Sequence, residues 1–170
     1  TMVANLSAHK AGWDDRWEEF SNWAEKGQKI KDELLFLVDE DTRSYNLIIE
    51  AFKLPKGTPE EIAERKKAIQ DATRYAIEIP FKVMQKAFES MEVIKAMTEH
   101  GNPSSVSDAG VGALCARTAV MGAFMNVKIN ASGLEDKDFI NEIIAKGAVI
   151  EKEAKDLEAQ ILEIVFEKVK

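Results

Sequence analysis

Apolar residues recur along most of this chain at the three- and four-residue spacing of amphipathic helices, and no stretch alternates as a half-buried strand would. The pattern predicts helices over residues 2–8, 14–53, 59–78, 81–99, 107–131 and 136 to near 170. Thr58, Pro59 and Glu61 form a capping box with proline at the first helical position. Gly27 is a candidate interruption, and Pro80 is expected to end or kink a helix. The sequence therefore predicts an all-α, multihelical array of long and short helices.

One predicted helix carries an acid within its apolar face. Asp41 falls in the middle of a stripe formed by Leu34, Val38, Tyr45, Ile48 and Phe52. A carboxylate among apolar groups costs several kcal/mol unless it is paired or protonated. Two explanations stand side by side: a buried ion pair, for instance with Arg74 or Arg117, or a carboxyl group held in a dry cleft with a raised pKa. The neighbouring Asp39 is expected to pair with Arg43 at the surface.

Residues 107–131 present a face of small and polar side chains. Within about 60° of Asp108 on the helical wheel lie Gly112, Cys115, Ala119, Gly122, Asn126 and Asn130. A glycine inside a helix costs about 1 kcal/mol relative to alanine, so something must approach this face closely. Either another helix packs there, or the face is a groove whose amides bind a heterocycle with donors and acceptors. Ser107 and Asp108 are also candidates for the helix N-cap.

Composition and charge narrow the classes of partner and cofactor. The 170 residues suit one domain spanning 1–170. A net charge of -7 argues against a nucleic-acid partner, and the lack of a run of about 18 apolar residues argues against a membrane partner. Two histidines and the lone Cys115 are too few and too dispersed for a zinc site. No metal is therefore expected, and the single cysteine fits a reducing, cytoplasmic compartment.

Four phrases together resemble a known family. "TMVANLS", "LVDEDTRSYN", "FKLPKGTPEE" and "GNPSSVSDAGVGALCARTAVMGAFMNVKIN" are similar to the cyclodeaminase domain of formimidoyltransferase-cyclodeaminases, a family that includes methenyltetrahydrofolate cyclohydrolases. The resemblance covers nearly the whole chain in order. It implies an all-helical, cytoplasmic homodimer of histidine and one-carbon metabolism. The implied enzyme is an ammonia lyase that converts 5-formimidoyltetrahydrofolate to 5,10-methenyltetrahydrofolate and ammonia.

The resemblance also implies roles for individual residues. Asp41, the second aspartate of "LVDED", would be the catalytic proton donor and acceptor. Tetrahydrofolate would be the carrier of the reacting group, and no metal would take part. The residues expected to bind folate are Asn102, Ser107, Asp108, Asn126 and Asn130, with Lys10 proposed for its anionic tail.

Family members also carry a glycine-rich segment ahead of "MVANL", and the two-domain members carry a transferase domain. Neither is found in this sequence. We expect either that this chain is a truncated or cleaved form, or that the glycine-rich segment belongs to another chain. Two other functions stay open. One is a methenyltetrahydrofolate cyclohydrolase on the same scaffold. The other is a non-catalytic helical dimerisation module, with the small-residue face of residues 107–131 as its subunit interface.

Overall fold

The structure is a computed structural model that describes residues 1–169. Its helices are α1 (Met2–Ala8), α2 (Trp17–Lys53), α3 (Pro59–His100), α4 (Val106–Ala131) and α5 (Lys137–Lys168), with 3-10 turns at Asp14–Arg16 and Pro103–Ser105. No strand occurs within the described range, which confirms the all-α prediction. The last helix was expected to reach near residue 170, which lies outside that range.

The helix α3 passes through Pro80 without ending, contrary to the prediction of two separate helices. It runs for 42 residues as one element. Pro80 has no N–H to donate to the carbonyl of Ala76, four residues earlier. The side chain of Asn130 on α4 donates instead, with 2.8 Å between its Nδ2 and the Ala76 oxygen. The interior proline is accommodated because a neighbouring helix supplies the missing donor.

The helices α2 and α3 form a long antiparallel hairpin with a seven-residue repeat. The buried residues Ile30, Leu37, Ser44 and Ala51 of α2 are spaced by seven, the repeat of a supercoiled helix pair. The apolar stripe around Asp41 is a different face of α2. Its members Val38, Tyr45 and Phe52 are 64%, 63% and 53% exposed, so the prediction that this stripe is the buried one is wrong for the single chain. The helix also continues through Gly27.

The helix α4 packs against α3 and α5 through a face made largely of alanine. Its buried residues include Ala109, Ala113, Ala116, Val120, Ala123, Phe124 and Val127. Small side chains allow the helix axes to approach closely. Phe124 is the large exception, and its ring lies directly on Gly147 of α5, where a β-carbon would overlap it. A glycine in α5 is therefore required by the packing of α4.

The segment Pro103–Ala131 is long and apolar enough to cross a membrane, because an 18-residue stretch within it has a mean hydropathy of 1.3. The sequence analysis did not identify this segment as a possible membrane span, because Asp108, Arg117 and Lys128 interrupt its apolar residues. Length and composition do not separate a membrane-spanning helix from a core helix. Here the buried face of α4 belongs to the main hydrophobic core, together with residues of α3 and α5.

The bond from Asn130 to Ala76 can be tested by a double-mutant cycle. Asn130→Ala leaves the Ala76 carbonyl without a donor, which costs about 1–3 kcal/mol of folding free energy. Pro80→Ala restores the backbone N–H, so Asn130→Ala should cost much less in that background. Chemical denaturation of the four proteins measures both costs. Equal costs in the two backgrounds would show that Asn130 does not compensate for the proline.

The close packing at Gly147 predicts an asymmetry between two glycines. Gly147→Ala pushes a methyl group into the Phe124 ring, and overpacking of this kind costs about 1–3 kcal/mol. Gly112→Ala is the matched control, because its β-carbon would meet Ile94 at an ordinary 3.7 Å and alanine favours the helix. Thermal unfolding should show a lower midpoint for Gly147→Ala and no loss for Gly112→Ala. A similar midpoint for both variants would contradict this account of the packing.

Candidate active site

An open groove of about 530 Å³ lies between α2 and α4, with α3 as its floor. Most of its lining is apolar or small, and Asp41, Thr42 and Asn126 supply the polar groups. The α2 wall consists of Leu34, Leu37, Val38, Asp41 and Thr42, the floor of Pro80 and Val83, and the α4 wall of Ala119, Gly122, Ala123 and Asn126. Two side chains that the sequence singled out on separate helices, Asp41 and Asn126, therefore line the same space.

Gly122 in the α4 wall borders open space. A β-carbon built at this position would have no atom within 4 Å other than those of its chain neighbours and the backbone of its own helix turn. Packing within this chain therefore does not require glycine here, although glycine costs about 1 kcal/mol in a helix. The free space at the wall is available to something outside the chain, either a bound molecule or another polypeptide.

Asp41 is exposed at the edge of this groove. Its carboxylate makes no hydrogen bond or ion pair with any residue in the part of the chain that the structure describes. The two proposed partners are engaged elsewhere, because Arg74 pairs with Glu78 and Asp136 and Arg117 lies 3.8 Å from Glu158. The buried ion pair predicted from the sequence is therefore wrong. The predicted dry cleft does not exist in the single chain either.

Glu40, the acid next to Asp41 in sequence, is hydrogen-bonded to other residues of the chain. Glu40 accepts hydrogen bonds from the hydroxyl of Tyr75 on α3 and, at 3.4 Å, from Arg43. Tyr75 and then Arg43 hold the pKa of Glu40 below its usual range, and the bond to Glu40 raises the pKa of Tyr75. The prediction that Arg43 pairs with Asp39 is wrong, since Arg43 pairs with Glu40. This network fixes the register of α2 on α3 one residue away from Asp41.

Asp108 lines a second, smaller cavity of about 160 Å³ with Thr1, Val3, Val93, Met97 and Gly112 among others. Asp108 and Asn126 are 18 residues apart on α4, which corresponds to about 27 Å along a helix. One chain therefore does not bring both to the same groove. The N-cap of α4 is Ser105, without a side-chain capping bond, so the capping prediction for Ser107 or Asp108 is wrong. Ser107 is exposed in the first turn.

Three other predicted site residues have contacts within the chain. The Asn102 side chain accepts from the N–H of Ser104 at 3.2 Å, and Asn130 donates to Ala76. The ammonium group of Lys10 lies 4.7 Å from the centre of the Trp13 ring. None of the three lines the groove of Asp41. Their binding of folate stays a prediction.

The sequence did not identify the floor of the groove. Pro80 and Val83 come from α3. Pro80 was expected only to end or kink a helix, and the sequence pattern did not single out Val83. Their place below Asp41 follows from how α2 and α4 pack on α3, and no local pattern signals it. Among residues 1–169 no group of three or more His, Cys, Asp or Glu is placed to hold a metal ion.

Fold and groove together define an all-α helical protein with a carboxylate and an amide at a largely apolar groove. A family model described as Formiminotransferase-cyclodeaminase matches residues 1–148. A methenyltetrahydrofolate cyclohydrolase of Methylorubrum extorquens is 31% identical over 169 residues, which are 99% of this chain and 81% of that protein. The chain belongs to the formiminotransferase-cyclodeaminase family, as the resemblance predicted.

Two further relatives show how the chain relates to longer proteins. A formimidoyltransferase-cyclodeaminase of Gallus gallus is 37% identical over 164 residues, which are 96% of this chain and 30% of that protein. The chain thus spans less than a third of that relative. The crystal structure of a formiminotetrahydrofolate cyclodeaminase from Thermotoga maritima has the same fold, with a TM-score of 0.84 at 20% identity over 99% of this chain and 80% of that one.

The network of Glu40 predicts a pH dependence of stability. A carboxyl group with a lowered pKa in the folded state contributes stability above its unfolded-state pKa, and this is lost as the pH falls through the folded-state value. Tyr75→Phe should therefore lower the free energy of unfolding at pH 7, and its deficit should shrink below about pH 4. Denaturant titrations at several pH values measure the difference in free energy of unfolding between Tyr75→Phe and the native chain. The control is Tyr45→Phe, whose hydroxyl makes no hydrogen bond within residues 1–169; a constant deficit for Tyr75→Phe would contradict the assignment.

Proposed function

We propose that this chain is a formimidoyltetrahydrofolate cyclodeaminase in which Asp41 moves the protons. The observation that carries the proposal is the Asp41 carboxylate itself, uncommitted to any partner within residues 1–169 and placed at the edge of an apolar groove. A carboxylate contributes to the stability of a fold through ion pairs or hydrogen bonds, and the exposed Asp41 carboxylate makes neither within residues 1–169. An unpaired one beside a cavity of ligand size is a candidate for acid–base chemistry.

The reaction needs two proton transfers at neighbouring atoms. The formimidoyl group reacts as its protonated amidinium, whose nitrogen already carries two hydrogens. N10 of the folate forms a bond to the formimidoyl carbon and loses its proton, and the nitrogen gains that proton and leaves as ammonia, so the positive charge stays on the methenyl product. One carboxylate beside both nitrogens can accept the first proton and deliver it to the departing amine. The proton count then balances without another titratable group in the groove.

The rest of the groove suits a flat, polar-edged ring system. The Asn126 amide both donates and accepts hydrogen bonds, which matches the edge of a pterin. Leu34, Val38, Pro80 and Val83 supply apolar surface for ring faces. Gly122 and Ala119 leave the α4 wall low, so a ring can approach the helix backbone.

A methenyltetrahydrofolate cyclohydrolase is the second candidate. It is favoured by the Methylorubrum extorquens relative of that name, of which this chain covers 81%. The same groove would serve, with Asp41 removing a proton from a water molecule that attacks the methenyl carbon. Assays of the purified chain on both substrates separate the two candidates, because only the cyclodeaminase releases ammonia from 5-formimidoyltetrahydrofolate.

Asp41→Asn tests the role of the carboxylate. The amide keeps the size of the side chain and removes its basicity, so turnover should fall by about 10²–10⁴-fold. Tetrahydrofolate binding, followed by calorimetric titration, should persist. Asp39→Asn is the matched control, since Asp39 is also exposed on α2 but lies outside the groove. Unchanged turnover in Asp41→Asn, or loss of binding with the fold intact, would refute the proton-transfer role.

A non-catalytic dimerisation module is the third candidate. Large exposed apolar side chains on α2 and α4 favour association with another chain. The homodimer implied by the resemblance is compatible with either enzymatic candidate. Turnover of neither folate substrate by a dimeric, folded chain would favour the module.

A further inference from the structure

A further cavity, of about 270 Å³, lies between α3 and α5, away from the groove of Asp41. Its α3 wall includes Phe81, Lys82 and Gln85. At about 100° per residue, these three lie roughly opposite Pro80 and Val83, which form the floor of the groove. The cavity and the groove therefore lie on opposite sides of α3, and they share no lining residue.

Three apolar side chains of this cavity belong to the main hydrophobic core or pack against it. Ile143 of α5 is buried within the core, and Phe81 and Phe139 are partly buried against it. They offer a surface on which an apolar group can lie. The volume of the cavity is just below the roughly 300–1,000 Å³ of pockets for drug-sized ligands, so the apolar part of a ligand is limited to about one ring.

Five charged side chains surround this apolar surface, with an excess of one positive charge. Arg74 and Lys146 each pair with an acid of the cavity, Glu78 and Glu142 respectively, and Lys82 is the third cation. The chain as a whole carries a net charge of -7. Lys146, and then Arg74, hold the pKa of Glu142 below its usual range, as positive surroundings do. The cavity therefore favours an anion over a cation.

Two polar groups of the cavity have no partner within residues 1–169. The ammonium group of Lys82 and the amide of Gln85 make no hydrogen bond or ion pair there, and both side chains are exposed. They are three residues apart on α3, so they are neighbours on the surface of the helix. An ammonium and an amide NH₂ both donate hydrogen bonds, and a carboxylate accepts several at once.

We propose that this cavity binds a small monocarboxylate whose apolar part is one aromatic ring. The carboxylate accepts hydrogen bonds from Lys82 and Gln85, and the ring lies against Phe81, Phe139 and Ile143. The site is separate from the proposed function, because neither the cavity nor its ligand involves Asp41.

Phenylacetate is a suitable probe, since it combines one ring with one carboxylate. In ¹H–¹⁵N spectra of the native chain, phenylacetate should cause saturable shifts of the backbone amides of residues 78–85 and 139–146, with a dissociation constant on the order of 1 mM. 2-Phenylethanol keeps the ring and lacks the charge, so it should bind at least about threefold more weakly. Phenethylamine carries the opposite charge and should bind more weakly still.

Lys82→Gln tests the charged contact. The variant should bind phenylacetate at least about threefold more weakly and 2-phenylethanol as well as the native chain does, because only the carboxylate contacts Lys82. Lys67→Gln is the matched control, since Lys67 is also an exposed lysine of α3 but lies outside the cavity. It should leave both affinities unchanged, and the same spectra report that each variant is folded. An undiminished affinity of Lys82→Gln for phenylacetate, or an equal loss for both ligands, would overturn the proposal.

Tetrahydrofolate at saturation separates this site from the groove. Phenylacetate should keep its affinity in the presence of tetrahydrofolate, because the cavity and the groove share no lining residue. Displacement of phenylacetate by tetrahydrofolate would overturn the proposal of a separate site. The absence of a saturable shift at millimolar phenylacetate, or shifts confined to helices other than α3 and α5, would show that the cavity is only a solvated surface. The titrations with phenylacetate decide the proposal even if the chain turns over neither folate substrate.

Discussion

The hydrogen bond from Asn130 to the Ala76 carbonyl is the interaction on which the geometry of the groove depends. It allows α3 to continue through Pro80 as one helix, because the carbonyl that the proline leaves unpaired still finds a donor. A continuous α3 carries α2 on one side and α4 on the other. Pro80 then lies at the floor of the groove between them. The residue that removes a hydrogen bond from α3 therefore also forms part of the site.

The helix α4 has one buried face and one exposed face. Its alanine face brings α3 and α5 close, and one large ring, Phe124, fills the space that Gly147 leaves in α5. Its opposite face is largely exposed within residues 1–169, where Val111, Met125 and Ile129 are 59–69% exposed. At Gly122 this face borders open space beside an amide and a carboxylate. This helix therefore has one face buried in the core and another that is exposed within residues 1–169.

Local patterns were sufficient for the class of fold and for the ends of most helices. The capping box at Thr58 is present as predicted, and Asp136 caps α5 through the N–H of Phe139. The pattern failed at Pro80, because the donor that rescues the helix is 54 residues away in sequence. It also failed to tell which apolar stripe of α2 is buried, because an amphipathic wheel shows that a face is apolar and not which surface covers it.

The sequence by itself determined the all-helical class and the family, and it singled out the carboxylate of Asp41 and the amide of Asn126 as candidate site groups. It could do so because helical periodicity and local motifs depend on neighbours within a few residues. The tertiary structure alone decided that these two lie close enough to line one groove, while Asp108 lines a separate cavity. It also decided that Asn130 supports α3. Such distances depend on how helices far apart in sequence pack together, and that packing is a property of the whole set of contacts.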